Sequence, residues 1–189
     1  SSWGSQFDYA CFVQGEDELA QGLCGVAAVA LNGAKQSYEE KHDKGTFVKN
    51  IISDNILLGD IYVRAKELHI TIDAPRGIIL VRQLDTPNSA IIDTIQALFP
   101  DRQSDFVLSV NETDVAVIKQ LPENMEGREL DKLARQIQES VESELEQKIV
   151  VGIGTVVANI RDLARSYKEA QMAIEVSKVF DIERSINNY

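Results

Sequence analysis

The chain predicts an α+β fold of the ferredoxin-like type: a mixed, mainly antiparallel sheet with packed helices, preceded by an N-terminal helical segment. Three observations carry this. Residues 76–84, RGIILVRQL, form a nearly continuous apolar run, the mark of a central strand covered on one or both faces. DFVLSVN and DVAVIKQL flank a short polar turn at Asn111, Glu112 and Thr113, which is a hairpin pattern. Residues 126–147 place Leu130, Leu133, Ala134, Ile137, Val141 and Leu145 on one stripe, with Glu139, Glu142, Glu144 and Glu146 opposite. From residue 76 the order reads β-α-β-β-α-β-α, a split βαβ arrangement with its helices on one face of the sheet.

Taken in order, SSWGS is set aside as a tag remnant or frayed end. FDYACFV (7–13) is short, aromatic and β-branched, and reads as a strand. From Glu16, the residues Leu19, Leu23, Val26, Ala27, Ala30, Leu31, Ala34 and Tyr38 recur at helical spacing, and Asp17 and Glu18 suit the first turn of a helix. Gly22, Ala27, Ala30, Gly33 and Ala34 would let a second backbone approach that stripe, either within the domain or from another copy. EEKHDKG (39–45) is a polar break or the exposed middle of a longer helix. Phe47, Val48, Ile51, Ile52 and Ile56 make a second stripe. Gly59-Asp60 is expected to end that helix and cap the next, which faces inward with Ile61, Ala65 and Leu68. Thr86 and Pro87 fit the N-cap and first position of a helix carrying Ile91, Ile92, Ile95, Leu98 and Phe99, stopping before Pro100. IVVGIG (149–154) is the fourth strand, and a long helix follows it. The domain reading is therefore 1–45, the tail of an upstream sensory domain or a dimerisation helix; 46–75, a helical connector; and 76–189, the α+β domain.

The formal charge of −11 and the absence of a basic stripe oppose direct binding of a phosphate backbone. Arg64 and Lys66 are too few for the 47–69 helices to read a DNA groove. No apolar run is long enough to span a bilayer. Cys11 and Cys24 fit a reduced cytoplasm and read as small packed hydrophobes. His42 and His69 have no carboxylate or cysteine at ligand spacing, so no metal is expected. Gly152 and Gly154 raise the question of a phosphate loop. They lack the Lys-Ser/Thr of a Walker loop and the G-x-G-x-x-G spacing. Asn159 is the expected N-cap of the last helix and Asp162 completes a capping arrangement that would repel phosphate. The glycines are read as relief where a helix crosses a strand.

RAKELHITIDAPRGIILV, the FPDRQSDFVLSVNETDVAVIKQL hairpin and above all GIGTVVANIRDLARSYKEAQMAIEV resemble the central region of PucR/CdaR-type transcriptional regulators, over roughly residues 45–189. The resemblance implies a GGDEF-like domain, a relative of the nucleotide-cyclase fold that has shed its catalytic residues. It also implies a DNA-binding helix-turn-helix C-terminal to this region, an upstream input domain, and a sugar diacid or purine derivative as effector. A cyclase of this fold needs acidic residues on the first strand and at the hairpin to hold two metal ions. Here the hairpin tip is Asn111-Glu112-Thr113-Asp114, with no glycine pair. The first strand offers Arg82 and Gln83, with Asp85 beyond its end. Asp85, Glu112 and Asp114 read as scattered structural carboxylates beside a cation. The expectation is thus a non-catalytic, cofactor-free regulatory segment of a cytoplasmic regulator. It would act as a homodimer and reach DNA only through a domain outside this chain. The alternative is a degenerate domain that binds a nucleotide without turnover, and an active enzyme ranks last.

Overall fold

The computed structural model describes residues 12–15, 17–122, 128–179 and 186–189. In chain order the elements are α1 (Glu18–Ile52), α2 (Leu58–Glu67), β1 (Asp73–Gln83), α3 (Ala90–Ala97), β2 (Phe106–Ser109), β3 (Asp114–Gln120), α4 (Arg128–Leu145), β4 (Ile149–Ile153), β5 (Val157–Asn159), a 3-10 turn (Ile160–Asp162), α5 (Leu163–Val179) and β6 (Ile186–Asn188). They fall into two compact units, Ser1–Asp43 and Lys44–Tyr189, and α1 contributes to both. The strand expected at 7–13 lies outside the described residues except for Phe12 and Val13, which are not in a strand; Cys11 also lies outside.

In the first unit, the Asp17 carboxylate accepts the Ala20 N–H at 2.8 Å and so caps α1. The expected stripe is helical and faces solvent: Leu19, Leu23, Val26, Leu31 and Tyr38 are all exposed, Leu19 at 71% and Tyr38 at 72%. Cys24 is half-buried. His42 stacks on Tyr38 one turn earlier, with ring centroids 6.4 Å apart. The helix does not break at 39–45. EEKHDKG is its polar middle, supported at its edge by the Lys35–Glu39 pair at 3.7 Å.

The second unit is built on one sheet of order β2-β3-β1-β4-β6. The pairs β1–β3, β1–β4 and β2–β3 are antiparallel, the split βαβ arrangement expected. Two strands were not expected. β5 continues β4 along β1 after the non-strand residues 154–156, where the Gly154 N–H still donates to the Ile78 carbonyl at 3.0 Å, and its pairing with β1 is irregular between Asp73 and Arg76. β6 joins β4 in parallel, with Val151 opposite Ile186.

Helices cover both faces of this sheet, which corrects the expectation of one. Ile79, Val81 and Val117 pack under α3 and α4, through Ile91, Ile95, Leu130, Ala134, Ile137 and Val141. Ile78, Leu80, Ala116 and Ile118 pack under α5, α2 and the last turns of α1, through Tyr167, Ala170, Ile174, Ile61, Ala65, Phe47, Val48, Ile51 and Ile52. The period-2 alternation of β1 sends Ile78 and Ile79 to opposite cores, which is why its sequence is apolar throughout. The segment expected as a connector, 46–75, thus supplies part of the core.

Three helix boundaries also differ from expectation. α1 ends at Ile52 and is closed by Asp54, not by Gly59. Asp54 takes φ 56°, the Asn55 N–H reaches the Asn50 carbonyl at 2.9 Å, and the Asp54 N–H reaches Ile51 at 3.1 Å. That paired bonding closes a helix with a left-handed residue. Gly59 and Asp60 lie in the first turn of α2 instead. His69 closes α2 in the same way, with φ 54° and Ile70 N–H to Ala65 at 2.8 Å. Thr86 and Pro87 precede α3 rather than start it. The Gln83 side chain accepts the Asn88 N–H at 2.8 Å, folding 84–89 back as a loop, and Asn88 Oδ1 accepts the Ala90 N–H at 3.0 Å. Among the described residues, no helix is long and apolar enough to cross a membrane.

Candidate functional site

The end of the sheet where β1 leaves and the β2–β3 hairpin turns is where the acidic residues singled out from sequence could meet. The hairpin tip is a polar knot. Asn111 Oδ1 accepts the Thr113 N–H at 2.9 Å and the Asp114 N–H at 2.8 Å, which fixes the turn without a glycine. Asp114 opens β3 directly opposite Arg82 on β1, so the two side chains emerge side by side on the α5 face of the sheet.

Arg82 grips Asp114 with a two-pronged fork: Nε donates to Oδ1 and Nη2 to Oδ2, each at 2.8 Å. Its remaining Nη1 donates to Glu175 Oε1 on α5 at 2.5 Å. The Asp114 side chain is 3% exposed, and Thr113 Oγ1 lies 3.0 Å from its Oδ1. Burial pushes the Asp114 carboxyl up. The Arg82 fork and charge and the Thr113 and Asn111 hydrogen bonds outweigh that and hold it below the usual carboxylate range. The Asp114 bond raises the Arg82 guanidinium further above its already high value, against the opposing effect of burial. Beneath the pair, burial first and then the Asp114 charge push the Tyr167 phenol up.

The other two carboxylates are not drawn into this cluster. Asp85 Oδ2 accepts the Lys148 N–H at 3.0 Å and so ties the β1 exit to the entrance of β4. Glu112 is exposed at the tip, where its carbonyl lies 3.5 Å from Gln83 Nε2. Among the described residues, no three His, Cys, Asp or Glu side chains converge to hold a metal ion. His42 and His69 lie in α1 and at the end of α2, as described above. A separate open groove of about 420 Å³, lined by Asp101, Ser104, Lys119, Leu121 and Glu129, sits toward the opposite end of β3.

The paired glycines answer to packing. A Cβ on Gly152 would stand 2.1 Å from the Ala170 carbonyl oxygen, and one on Gly154 would stand 2.0 Å from that of Ser166. α5 therefore crosses β4 backbone to backbone, as the strand-crossing reading expects. The Thr155 N–H, which a phosphate would seek, is satisfied by Glu169 Oε2 at 3.0 Å. Asn159 caps the turn before α5, accepting the Arg161 N–H at 3.0 Å. Asp162 lies beside Arg161 at 3.9 Å. Sequence reasoning missed Glu175. It is separated from Arg82 by 93 positions, and only its place one residue after buried Ile174 hinted that it borders the core.

Comparison with curated proteins finds no match. The family model of the GGDEF-like domain matches residues 54–176, which takes in α2, every strand from β1 to β5, and α5 as far as the residue after Glu175. On that match, the chain belongs to the GGDEF-like domain family.

Proposed function

We infer that this GGDEF-like domain conveys a regulatory state rather than making a product. In this reading it is the signal-transmitting and dimerisation segment of a cytoplasmic transcriptional regulator of the PucR/CdaR type. The observation that carries the reading is the Arg82 fork on Asp114. In a cyclase of this fold, the hairpin acid would face a divalent cation bound to a triphosphate. Here its two oxygens are held by a guanidinium fixed on the adjacent strand, and that positive charge would repel an incoming metal ion. The exposed apolar stripe of α1 supports association through that helix, because exposed apolar side chains in a row mark an interaction surface. An input domain upstream would then shift a two-state dimer through its differential contacts with the two states.

Three measurements test this. Incubation with GTP and Mg²⁺ or Mn²⁺ is expected to yield no cyclic or linear dinucleotide and no pyrophosphate; turnover would overturn the reading. Light scattering at rising protein concentration is expected to show a dimer, and a strict monomer would remove the dimerisation half. A nucleotide-dependent rise in melting temperature without turnover would favour a domain that binds nucleotide and does not transform it.

A further inference from the structure

The hairpin knot is continuous with α1 on one side and with α5 on the other. Lys49, in the last turns of α1, donates from Nζ to the Ser109 carbonyl at the end of β2 at 2.8 Å. The Ser109 hydroxyl donates to the Asn111 carbonyl at 3.0 Å. Asn111 Oδ1 holds the Asp114 N–H at 2.8 Å, Asp114 is held by Arg82, and Arg82 reaches Glu175 on α5. Within the second unit, polar contacts therefore run unbroken from the root of the long helix, through the hairpin, to the outer turns of α5.

We propose that this chain of contacts is a mechanical relay that couples the C-terminal turns of α1 to the outer half of α5 through the hairpin tip. The proposal deepens the signal-conveying reading and rests on it for its biological purpose. The Asp114–Arg82 pair at the centre of the relay is rigid and its ends are releasable. Asp114 is almost wholly buried and bound at both oxygens, so it moves only together with Arg82. Glu175 is 57% exposed and lies at the outer end, where water can replace its contact at little cost. Lys49 is exposed at the other end. A shift of α1 that pulls the Ser109 carbonyl re-aims the hairpin tip. The Arg82 fork then follows Asp114, and the Nη1–Glu175 contact is the one that opens. A second link joins the same regions, since Lys168 on α5 pairs with Asp54 just beyond α1. The test must separate the two routes.

Hydrogen–deuterium exchange of the full chain reads the relay. Lys49→Met keeps the stem and removes the ammonium; Glu175→Gln weakens the far end. Each is expected to speed exchange of the amides at 172–176 several-fold. The double variant should be no faster than Glu175→Gln alone, because both cuts open the same path. Lys49→Met should still act when introduced into Asp54→Asn. Exchange at 172–176 unchanged in Lys49→Met overturns the relay. So does a multiplicative double variant, or loss of the Lys49→Met effect in the Asp54→Asn background. These rates report on the relay whether or not the chain dimerises, so a monomer with intact coupling would sink only the dimer reading.

Discussion

Replacing Gly152 with alanine asks whether the glycine pair exists for helix packing or for a ligand. The added Cβ would meet the Ala170 carbonyl oxygen at 2.1 Å and Ile174 Cγ1 at 2.8 Å. Ordinary contact begins at about 3.4 Å, so α5 must retreat by about 1.3 Å or β4 must buckle. β4 cannot shift easily, since it is paired with β1 on one side and β6 on the other. Retreat of α5 would loosen Tyr167, Ala170 and Ile174 over the sheet, and a gap near 1 Å forfeits a quarter to a half of each contact's dispersion energy. Adding the usual overpacking penalty, the loss should be about 3 kcal/mol or more. Urea unfolding followed by circular dichroism should show the midpoint fall by about 1.5 M, with the slope unchanged. Gly59→Ala is the matched control. Nothing lies within 4 Å of a Cβ there, and the residue sits in the first turn of α2, so the same chemical change should be neutral or stabilise by up to about 1 kcal/mol. A Gly152→Ala loss below about 1 kcal/mol would refute the backbone crossing.

Further predictions concern the charged cluster and one helix end. Arg82→Gln leaves Asp114 buried without its countercharge, and should cost about 2–4 kcal/mol in the same unfolding assay. Because the folded Asp114 carboxyl titrates below the ordinary value near 3.9, its stabilisation is complete above that pH and is lost as pH falls through the lower folded value. Asp114→Asn should therefore be less stable at neutral pH, yet lose less than the wild type between about pH 4 and pH 2, as followed by urea midpoints across that range. His69→Gly relieves a left-handed backbone at an exposed position and should raise stability by about 1 kcal/mol, read as a higher melting temperature.

The main elements from 76 to 176, the short β5 apart, were legible because each announces itself locally. Ile78–Val81 has no polar break, the hairpin has its polar turn, and α4 shows a clean stripe. The Gly152–Gly154 pair could be assigned to packing by the absence of phosphate-loop chemistry, and α5 indeed lies against it. Legibility failed where no apolar periodicity marks the deciding contact. Gln83 captures Asn88 and delays α3; Asp54 and His69, not Gly59, take the left-handed positions that end helices. β6 is only a three-residue strand, too short for periodicity to speak.

From the amino-acid order alone came the α+β class, most of the strand and helix sequence and the absence of a glycine-rich tip, all of them read from spacings under ten residues. Tertiary structure decided that helices cover both faces of the sheet, that the 46–75 segment joins the core, and that Arg82 grips Asp114 while Asp85 turns to the backbone of Lys148. The reason is that a side chain's charge is written in the sequence, but which opposite charge neutralises it depends on strand register and helix placement, and those are set by burial of the whole apolar surface at once.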